Sequence, residues 1–307
     1  MKIPKIAIIG TGAVGAHIAF SLALSRVRAD LFLIDKNEDL EEGQYLDLMD
    51  ISAFSEVNCK RGDMPDAADA DIIIITAGTA QRPGETRTDL IGRNMSILRS
   101  IKSEIGNIQK NAIVIMVANP VDILTYVASE ELGLPYGQVF GTGTLLDTSR
   151  LKWHIGNRLD IHSSSIQAYV IGEHGQTEFV PWSICNVQSK SCKDLFNEHE
   201  LDQMEEEARS EAYKIIEKKG ATYFGIAVCT TEIVASVLGD EKKIFPVSVP
   251  LKGEYNIQGM ALGVPCVISA KGIEKVMKLE LNKEEQAKLQ NSAEALKKIL
   301  KDASGEF

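Results

Sequence analysis

The chain has 307 residues, of which 44% are hydrophobic and 25% are charged, and its formal net charge at pH 7 is −10. This composition is that of an ordinary globular protein, which excludes disordered and fibrous classes, and the length allows one large domain or two smaller ones. The acidic balance argues against nucleic acid or an anionic membrane as the main partner, because both are bound by clustered Lys and Arg.

Short apolar runs alternate with longer helical stretches through the first half of the chain. Continuous apolar strands are typical of a sheet covered on both faces, and their alternation with helices predicts a doubly wound parallel α/β fold with right-handed crossovers. The predicted strands are Lys5–Ile9, Leu31–Ile34, Ile72–Thr76, Ala112–Ala118 and Val139–Phe140, and the predicted crossover helices include Gly12–Arg26 and Asp89–Ile108.

The second half is less regular and predicts a second, α+β domain. Asn282 and Glu285 form a capping-box pair at the start of a final helix. The boundary is placed near the glycines at 141 and 143, which divides the chain into residues 1–142 and 143–307. The predicted elements are the strands Ser164–Ile171, Val247–Val249 and Cys266–Ile268 and the helices Leu201–Lys219 and Asn282–Lys301.

Two features that the sequence lacks, a long apolar run and a C-x-x-C pair, bear on the cellular location of the protein. No apolar run approaches the ~20 residues that a membrane-spanning helix needs, and four residues precede the first apolar run, so we expect neither a membrane segment nor a signal peptide. The five cysteines contain no C-x-x-C pair, which favours reduced thiols over disulfides or a zinc site. These features predict a cytoplasmic protein that holds no metal.

A glycine-rich turn follows the first predicted strand and opens the first helix. Gly10 permits a tight turn, Gly12 lets the backbone approach a pyrophosphate, and Gly15 allows close packing of the helix on the strand. The helix N-terminus offers free N–H groups and a partial positive charge to phosphates. Asp35 ends the next strand, 20 residues beyond Gly15, where a carboxylate can accept both ribose hydroxyls and repel a 2′-phosphate. The turn therefore predicts a dinucleotide site that prefers NAD to NADP in residues 1–142, and leaves residues 143–307 as the substrate domain.

Polar residues follow several of the later strands. His174 lies between glycines after an apolar run, and Asn119 closes the fourth predicted strand. Asp147 and Arg150 are three residues apart, which puts both on one helix face. Arg87 ends a polar, glycine-containing loop after the third strand, at the sheet edge where such folds bind ligands.

These segments, taken in order, resemble the NAD-dependent L-lactate dehydrogenase family from the first strand to the C-terminal helix. Each motif alone is weakly specific, but the combination is highly specific. The matching segments are Thr76-Ala77-Gly78, Gln81 through Arg87, Asn119-Pro120-Val121-Asp122, Asp147-Thr148-Ser149-Arg150 and Gly172-Glu173-His174-Gly175.

The resemblance implies a role for each catalytic candidate. His174 would give a proton to the keto oxygen of pyruvate as NADH delivers hydride, and would accept one in the direction of L-lactate oxidation. Asp147 would orient the ring and favour its charged form, and Arg150 would bind the substrate carboxylate with its planar fork. Arg87 would close over the site with its loop and stabilise charge on the oxygen, and Asn119 would add a hydrogen bond near it.

The resemblance also implies the binding residues and the assembly. The chain would be a homotetramer, or at least a dimer, that takes part in glycolysis and fermentation. The substrate pocket would be formed by Gln81, Arg87, Asn119, Asp122, Asp147, Arg150 and Thr222, and the NAD site by Gly10, Thr11, Gly12, Ala13, Val14, Gly15, Asp35, Gly78, Thr79, Ser100, Val117, Asn119 and Thr142.

In the superfamily that this chain resembles, substrate choice depends on the residue six positions before the loop arginine. That residue is Gln81 in this chain. Malate dehydrogenases carry arginine at that position, and a neutral Gln81 leaves the second carboxylate of oxaloacetate without a counter-charge. Pyruvate is therefore the expected substrate. Malate dehydrogenase activity, through a loop shift that turns Arg82 inward, and branched-chain L-2-hydroxyacid dehydrogenase activity remain alternatives.

The effector site of many bacterial relatives is altered in this chain. Fructose 1,6-bisphosphate is bound there by an arginine and a histidine, and the corresponding positions hold Lys152 and Gln167. Lysine keeps the charge but not the fork, and glutamine is neutral. We therefore expect weak or no activation. A many-fold fall in the pyruvate KM at saturating effector would contradict this expectation.

Two rival classes remain. An NAD-binding module without turnover would not need the catalytic residues, all of which are present. A nucleotide-sugar or glycoside enzyme on the same cofactor fold would need metal-ligand clusters, and the histidines and cysteines are scattered.

Overall fold

The protein is described by a computed structural model of residues 2–79 and 87–304, without the side chains of Arg87 and Ser304. Its first half folds as alternating strands and helices, and the strands β1–β6 are parallel neighbours in the order β6-β5-β4-β1-β2-β3. The elements are β1 Lys5–Ile9, α1 Ala13–Leu24, β2 Ala29–Ile34, α2 Glu38–Met49, β3 Val57–Arg61, α3 Met64–Ala68, β4 Ile72–Ile75, α4 Arg87–Ile105, β5 Ile113–Met116, α5 Val121–Glu131 and β6 Val139–Gly141.

The predicted doubly wound fold is confirmed by this arrangement. Every residue of β4 and β5 is buried, because helices cover both faces of the sheet at its centre. β3 was not predicted, because its polar residues Asn58, Lys60 and Arg61 interrupt any apolar run. These residues are tolerated because β3 lies at the edge of the sheet, where one side of the strand faces solvent.

The second half combines helices with short and long antiparallel strands. It begins with a helix that carries two of the catalytic candidates and ends with the predicted C-terminal helix. The elements are α6 Leu145–Leu159, β7 Ile166–Gln167, β8 Asn186–Val187, β9 Lys190–Ser191, α7 Cys192–Leu195, α8 Glu198–Lys219, α9 Phe224–Leu238, β10 Lys243–Lys252, β11 Gln258–Ser269, β12 Gly272–Val276 and α10 Lys283–Ser304.

The long strands of the second half extend the parallel sheet. β10 pairs antiparallel with β6 at Ser248 and Gly141, and β11 and β12 follow it to give nine strands in one sheet within the described part of the chain. The sheet therefore runs across the predicted boundary at residue 142, and the division into two domains stays a prediction. At the start of α10, Asn282 and Glu285 exchange hydrogen bonds between side chain and backbone, as their spacing predicts.

The predicted strand Ser164–Ile171 is wrong over most of its length. Only Ile166–Gln167 pairs as a strand, because the side chains of Thr148 on α6 and of Thr144, which precedes that helix, bond the backbone that follows. Thr148 accepts a hydrogen bond from the Val170 N–H at 2.8 Å, and Thr144 donates one to the Val170 carbonyl at 2.6 Å. These bonds replace a strand ladder and hold the segment against α6. It leads directly to His174.

The carboxyl ends of the parallel strands form one edge of the sheet, and the candidate residues collect there. Gly10 follows β1, Gly78 follows β4, Asn119 follows β5 and Thr142 follows β6. Ligands of doubly wound sheets bind at this edge. Within the two described ranges, no helix has the length and apolar character needed to cross a membrane.

Candidate active site

A chain of three charged side chains lies at the centre of the site. Helix α6 places Asp147 and Arg150 one turn apart, and both are almost completely buried. Nδ1 of His174 lies 2.6 Å from one carboxylate oxygen of Asp147, and Nη1 of Arg150 donates to the other at 3.0 Å. Nε of Arg150 also lies 3.7 Å from a carboxylate oxygen of Glu211 on α8. Because Nδ1 of His174 is occupied by Asp147, Nε2 is the ring nitrogen left for a substrate.

Electrostatics favour the protonated form of His174. The negative charge of Asp147 raises the pKa of His174 to about 9 against the opposing effect of burial, and the hydrogen bond to Asp147 adds to the increase. Burial by itself would raise the pKa of Asp147, but the charge and hydrogen bond of His174, with the charge of Arg150, hold it below its ordinary value. The pair is therefore imidazolium and carboxylate at neutral pH. An imidazolium is the form that can donate a proton.

The backbone around His174 is anchored to three other elements. Gly172 exchanges two backbone hydrogen bonds with Gly263 on β11, and the Glu173 N–H donates to the hydroxyl of Ser292 on α10. The His174 N–H donates to Asp122 on α5 at 2.7 Å. These bonds fix the imidazole on a loop that has no regular secondary structure of its own.

Asp122 is buried beneath this loop. Its second oxygen accepts a hydrogen bond of 2.6 Å from Ser248 on β10. Burial raises the pKa of Asp122 to about 6, although the hydrogen bonds from Ser248 and from the His174 N–H oppose the increase. Both carboxylate oxygens are thus used to hold other parts of the protein.

The charged chain opens into a cavity of about 550 Å³, whose wall includes His174, Asp147 and Arg150. A second cavity of about 590 Å³ runs along the glycine-rich turn to Asp35. Val14 lines both cavities, so the two lie side by side. This extended cleft has room for a dinucleotide in its outer part and a small substrate in its inner part.

The glycine turn has the geometry that a pyrophosphate requires. Gly10 has a φ of +101°, and a Cβ on Gly15 would collide with the Gly10 carbonyl oxygen, so the helix packs directly on the turn. A Cβ on Gly12 would meet no atom within 4 Å, since Gly12 faces the open cleft at the N-terminus of α1. A phosphate can therefore reach the free N–H groups of this helix.

Asp35 is held at the outer end of the cleft by the same turn. One carboxylate oxygen accepts hydrogen bonds from the backbone N–H and the hydroxyl of Thr11, at 2.6 and 3.2 Å. The other accepts one from the Asn37 N–H at 3.0 Å. The carboxylate lines the cleft where an adenosine ribose would lie, so the residues of the turn fit NAD.

Asp147, His174 and Glu178 place one potential ligand atom each within 4.8 Å of one another, as a metal site would. The nearest oxygen of Asp147 already bonds the His174 ring, and the cation of Arg150 bonds the same carboxylate. A metal ion at this position would add a second positive charge beside Arg150, which is unfavourable. The arrangement favours proton transfer over metal binding.

Protein-family models match almost the whole chain, in two consecutive segments. A family model described as the lactate/malate dehydrogenase NAD-binding domain matches residues 4–141. The alpha/beta C-terminal domain of the same family matches residues 144–306. The chain belongs to the lactate/malate dehydrogenase family. It is therefore an NAD-dependent oxidoreductase.

Individual relatives of this dehydrogenase agree with the family match. The chain is 43% identical to an L-lactate dehydrogenase of Clostridium botulinum (strain Loch Maree / Type A3), over 98% of this chain and 97% of the relative. It is 42% identical to one of Thermoanaerobacterium saccharolyticum, over 97% and 98%. Among solved structures, a lactate dehydrogenase from a Medee basin deep-sea metagenome library gives a TM-score of 0.94 at 37% identity, covering 99% of this chain and 100% of that one. The minor L-lactate dehydrogenase of Enterococcus mundtii gives 0.93 at 37%, covering 97% and 98%.

Most residues that the sequence analysis assigned to the dehydrogenase site lie on the cleft wall. Gln81 is outside the described residues, and Arg87 begins α4 but its side chain is likewise not described. The inner cavity is lined by Val14, Val117, Asn119, Thr142, Asp147, Arg150, His174 and Thr222, and the outer one by Gly10, Gly12, Ala13, Val14, Gly15, Asp35, Gly78, Thr79 and Ser100.

Two assigned residues are brought close to the site without lining either cavity. Thr11 is fully buried, and its N–H and hydroxyl are directed at Asp35. Asp122 holds the backbone of His174 and the side chain of Ser248, so its position fits support of the catalytic loop better than contact with a substrate.

The sequence analysis missed three polar residues of the site. Asn94 on α4 accepts a hydrogen bond from the Thr79 N–H at 2.9 Å and donates one to the Asn119 carbonyl at 2.7 Å, which joins two cleft loops. Ser248 bonds Asp122, and Glu178 lines the inner cavity. A signal was present for Ser248, which lies between the buried residues Val247 and Val249, whereas Asn94 follows Arg93 and had no such signal. Glu178 had no such signal, since its proximity to His174 depends on how the loop folds.

Replacement of Glu178 by glutamine is expected to lower the pKa of His174. Burial first, and then the charge of Asp147, raises the pKa of Glu178 to about 8, although a backbone hydrogen bond from Gly175 opposes this. Above that pH Glu178 is an anion beside His174, and it helps to keep the imidazole protonated. Glu178→Gln removes the anion and should move loss of the His174 proton to lower pH, as measured by NMR titration of the ring.

Glu217→Gln provides the matched control, because Glu217 is an exposed acid on α8 that does not line the inner cavity. The control should leave the titration of His174 where it is in the wild type. An unchanged titration in Glu178→Gln as well would mean that Glu178 does not influence the imidazole.

Proposed function

We propose that this chain is an L-lactate dehydrogenase that interconverts pyruvate and L-lactate with NADH and NAD. The observation that carries the proposal is the Asp147-bound imidazole of His174 in a cavity that adjoins the glycine-rich cleft. NAD bound in that cleft supplies or accepts the hydride. The names of the relatives described above support the same reaction.

The protein's own residues would bind the substrate and move one proton. Arg150 binds the substrate carboxylate, and its bond to Asp147 keeps the guanidinium in place beside His174. His174 donates its Nε2 proton to the keto oxygen during reduction and takes it back during oxidation. Asp147 orients the ring through Nδ1 and stabilises its charged form. Asn119 lines the same cavity, where its amide can bond the reacting oxygen.

Arg87 completes the proposed machinery. It begins α4, at the end of the loop whose residues 80–86 are outside the described part of the chain. By resemblance, its side chain closes over the substrate, excludes water and stabilises negative charge that develops on the oxygen.

The described wall of the inner cavity suits a substrate with a small apolar end. Val14, Leu146 and Ile226 are among its apolar residues. Besides Arg150 and His174, the described lining contains one cation, Arg209, whose guanidinium bonds two glutamates of α8. Its charge is therefore already balanced, which disfavours a second substrate carboxylate there.

Initial rates of NADH oxidation test the function directly. Pyruvate, oxaloacetate and a branched 2-oxo acid should be compared under the same conditions, with NADPH in a parallel series. We expect the highest kcat/KM for pyruvate and a strong preference for NADH. A higher value for oxaloacetate or for the branched acid would replace the proposed activity with that of the corresponding dehydrogenase, and no turnover of pyruvate would contradict the proposal.

Gln81→Arg is expected to shift preference toward oxaloacetate. The new guanidinium would pair the second carboxylate, whose burial without a partner costs on the order of 3–5 kcal/mol. The ratio of kcat/KM for oxaloacetate to that for pyruvate should rise by about 10²-fold or more. Arg82→Gln is the matched control, since it removes the neighbouring cation and should leave the ratio unchanged. A ratio that does not move in Gln81→Arg would remove the basis of the substrate assignment.

A homo-oligomer, by resemblance a tetramer, is part of the same proposal. Helices α1 and α9 pack together, with a hydrogen bond of 2.8 Å between Ser21 and Thr231. They leave Phe20, Leu24 and Phe224 substantially exposed, which supports a subunit contact on this face. Analytical ultracentrifugation measures the oligomeric state. Cytoplasmic location also stays a proposal, which cell fractionation would test.

A further inference from the structure

Two of the five cysteines contact each other in the second half of the chain. The Sγ atoms of Cys185 and Cys192 lie 2.8 Å apart, and both residues are buried, with 1% and 0% of their surface exposed. The structure describes all five cysteines, and the remaining three lie apart, on β3, α9 and β11. The printed sequence offers no C-x-x-C signal for this contact.

A short β-hairpin brings the two thiols together. In the pairing of β8 with β9, Asn186 lies opposite Ser191, and the next position outward on each strand is a cysteine. The Cys192 N–H donates to the Cys185 carbonyl at 2.9 Å, which continues the ladder by one more bond. The hairpin therefore holds the two cysteines opposite each other at its open end, next to β8 and β9.

We propose that Cys185 and Cys192 form a modification site for small peroxides, which convert the two thiols to a disulfide that thiol reductants reverse. The site lies outside the cleft, because neither cysteine lines the cavity that contains His174. It does not depend on the identity of the 2-oxo acid.

The chemistry needs hydrogen peroxide, or an organic hydroperoxide, as the oxidant. A thiolate attacks one peroxide oxygen, so that an S–O bond forms and the O–O bond breaks; hydroxide leaves from hydrogen peroxide and becomes water on protonation, and alkoxide leaves from an organic hydroperoxide and becomes an alcohol. The second thiol then attacks the resulting sulfenic acid, so that the S–S bond forms, the S–O bond breaks and water leaves. The two sulfur atoms together lose two electrons, and the peroxide gains them.

The contact between the two thiols favours a thiolate at one of them. Either thiol can donate the hydrogen bond that joins them; with Cys185 as the donor, this bond lowers the pKa of Cys192, and burial opposes the effect. The same hydrogen bond raises the pKa of Cys185, which keeps its proton. The positive charge of Lys152 lies close to the pair and favours a thiolate in it. The sulfur that accepts the hydrogen bond is the first nucleophile, and the other thiol resolves the sulfenic acid.

Access to the buried pair depends on the end of the hairpin. β8 and β9 have two residues each, and Lys190 in β9 is exposed. Such a short ladder opens locally at a small fraction of the free energy of global unfolding. Hydrogen peroxide is small and uncharged, so it can enter through such an opening.

Peptide mapping of the full-length protein tests the proposal. The protein is treated with hydrogen peroxide, the reaction is stopped with catalase, and free thiols are blocked under denaturing conditions. Lys190 lies between the two cysteines, so trypsin leaves them on separate peptides that stay joined only through a disulfide. We expect this joined pair after treatment, its release by dithiothreitol, and a fall from five titratable thiols to three.

Two variants serve as controls. Cys192→Ser should yield no joined peptide, and Cys59→Ser should yield it as the wild type does, because Cys59 lies on β3 far from the hairpin in the fold. The oxidised wild type should also unfold at a higher temperature than the reduced protein, since the link restricts the unfolded chain. Retention of all five thiols, or sulfinic acid at either cysteine of the pair in place of the link, would overturn the proposal.

Discussion

His174→Asn is expected to lower kcat/KM for pyruvate by about 10²–10⁴-fold, the range that general acid–base catalysis contributes in enzymes. Asparagine can hydrogen-bond a keto oxygen but cannot give it a proton, so binding should suffer less than turnover. The measurement is steady-state NADH oxidation. The affinity for NADH should be measured in parallel by fluorescence titration, and we expect it to be close to that of the wild type.

His199→Asn is the matched control for this variant. His199 is exposed on α8 and lies outside the lining of the inner cavity, so its replacement should leave the rate unchanged. If His174→Asn retained most of the wild-type kcat/KM, the proton would have to come from another group, and the mechanism built on Asp147 and His174 would be wrong.

Arg150→Lys is expected to raise the pyruvate KM strongly and to lower kcat/KM by about 10²-fold or more. Lysine keeps the positive charge but loses the planar fork that bonds Asp147 and would bond the substrate carboxylate. Truncation of one member of a buried, hydrogen-bonded charge pair costs about 2–5 kcal/mol. Because the carboxylate is bound in the ground state as well as in the transition state, KM should change more than kcat.

Arg99→Lys is the surface counterpart of this experiment. Arg99 bonds Glu131 at 2.9 Å in an exposed ion pair, which typically contributes about 0–1 kcal/mol. This variant should have wild-type kinetics. Thermal unfolding of both variants separates loss of binding from loss of folding, and an unchanged KM in a folded Arg150→Lys protein would assign carboxylate binding to another residue.

The fold and the candidate site differ in how far the sequence could predict them. Parallel strands such as Ile72–Ile75 were predictable because burial on both faces requires a continuous apolar run. β3 was not predictable in this way, because its edge position allows polar residues and leaves no such run. The segment before His174 was predicted as a strand, but its hydrogen-bond partners are the side chains of Thr144 and Thr148, which no local pattern reveals.

Within the site, residues with a local sequence signature could be predicted, and residues positioned only by the fold could not. Gly10 and His174 could be singled out because glycine turns and glycine-flanked polar residues have local signatures. Asp122 was assigned to the substrate pocket by resemblance, whereas its oxygens bond Ser248 and the His174 N–H beneath the loop. Glu178 was overlooked because nothing near it in the chain distinguishes it from a surface acid.

By itself, the sequence determined the class of fold, the NAD cofactor and the residue types available for acid–base chemistry, because these depend on composition, apolar runs and spacings within single segments. Only the tertiary structure decided which charges meet. His174 and Asp147 lie 27 residues apart in the chain and 2.6 Å apart in space, and Glu178 completes their surroundings. Such distances are set by the packing of α6 against the anchored loop, and they govern both the protonation of the imidazole and the direction in which it can act.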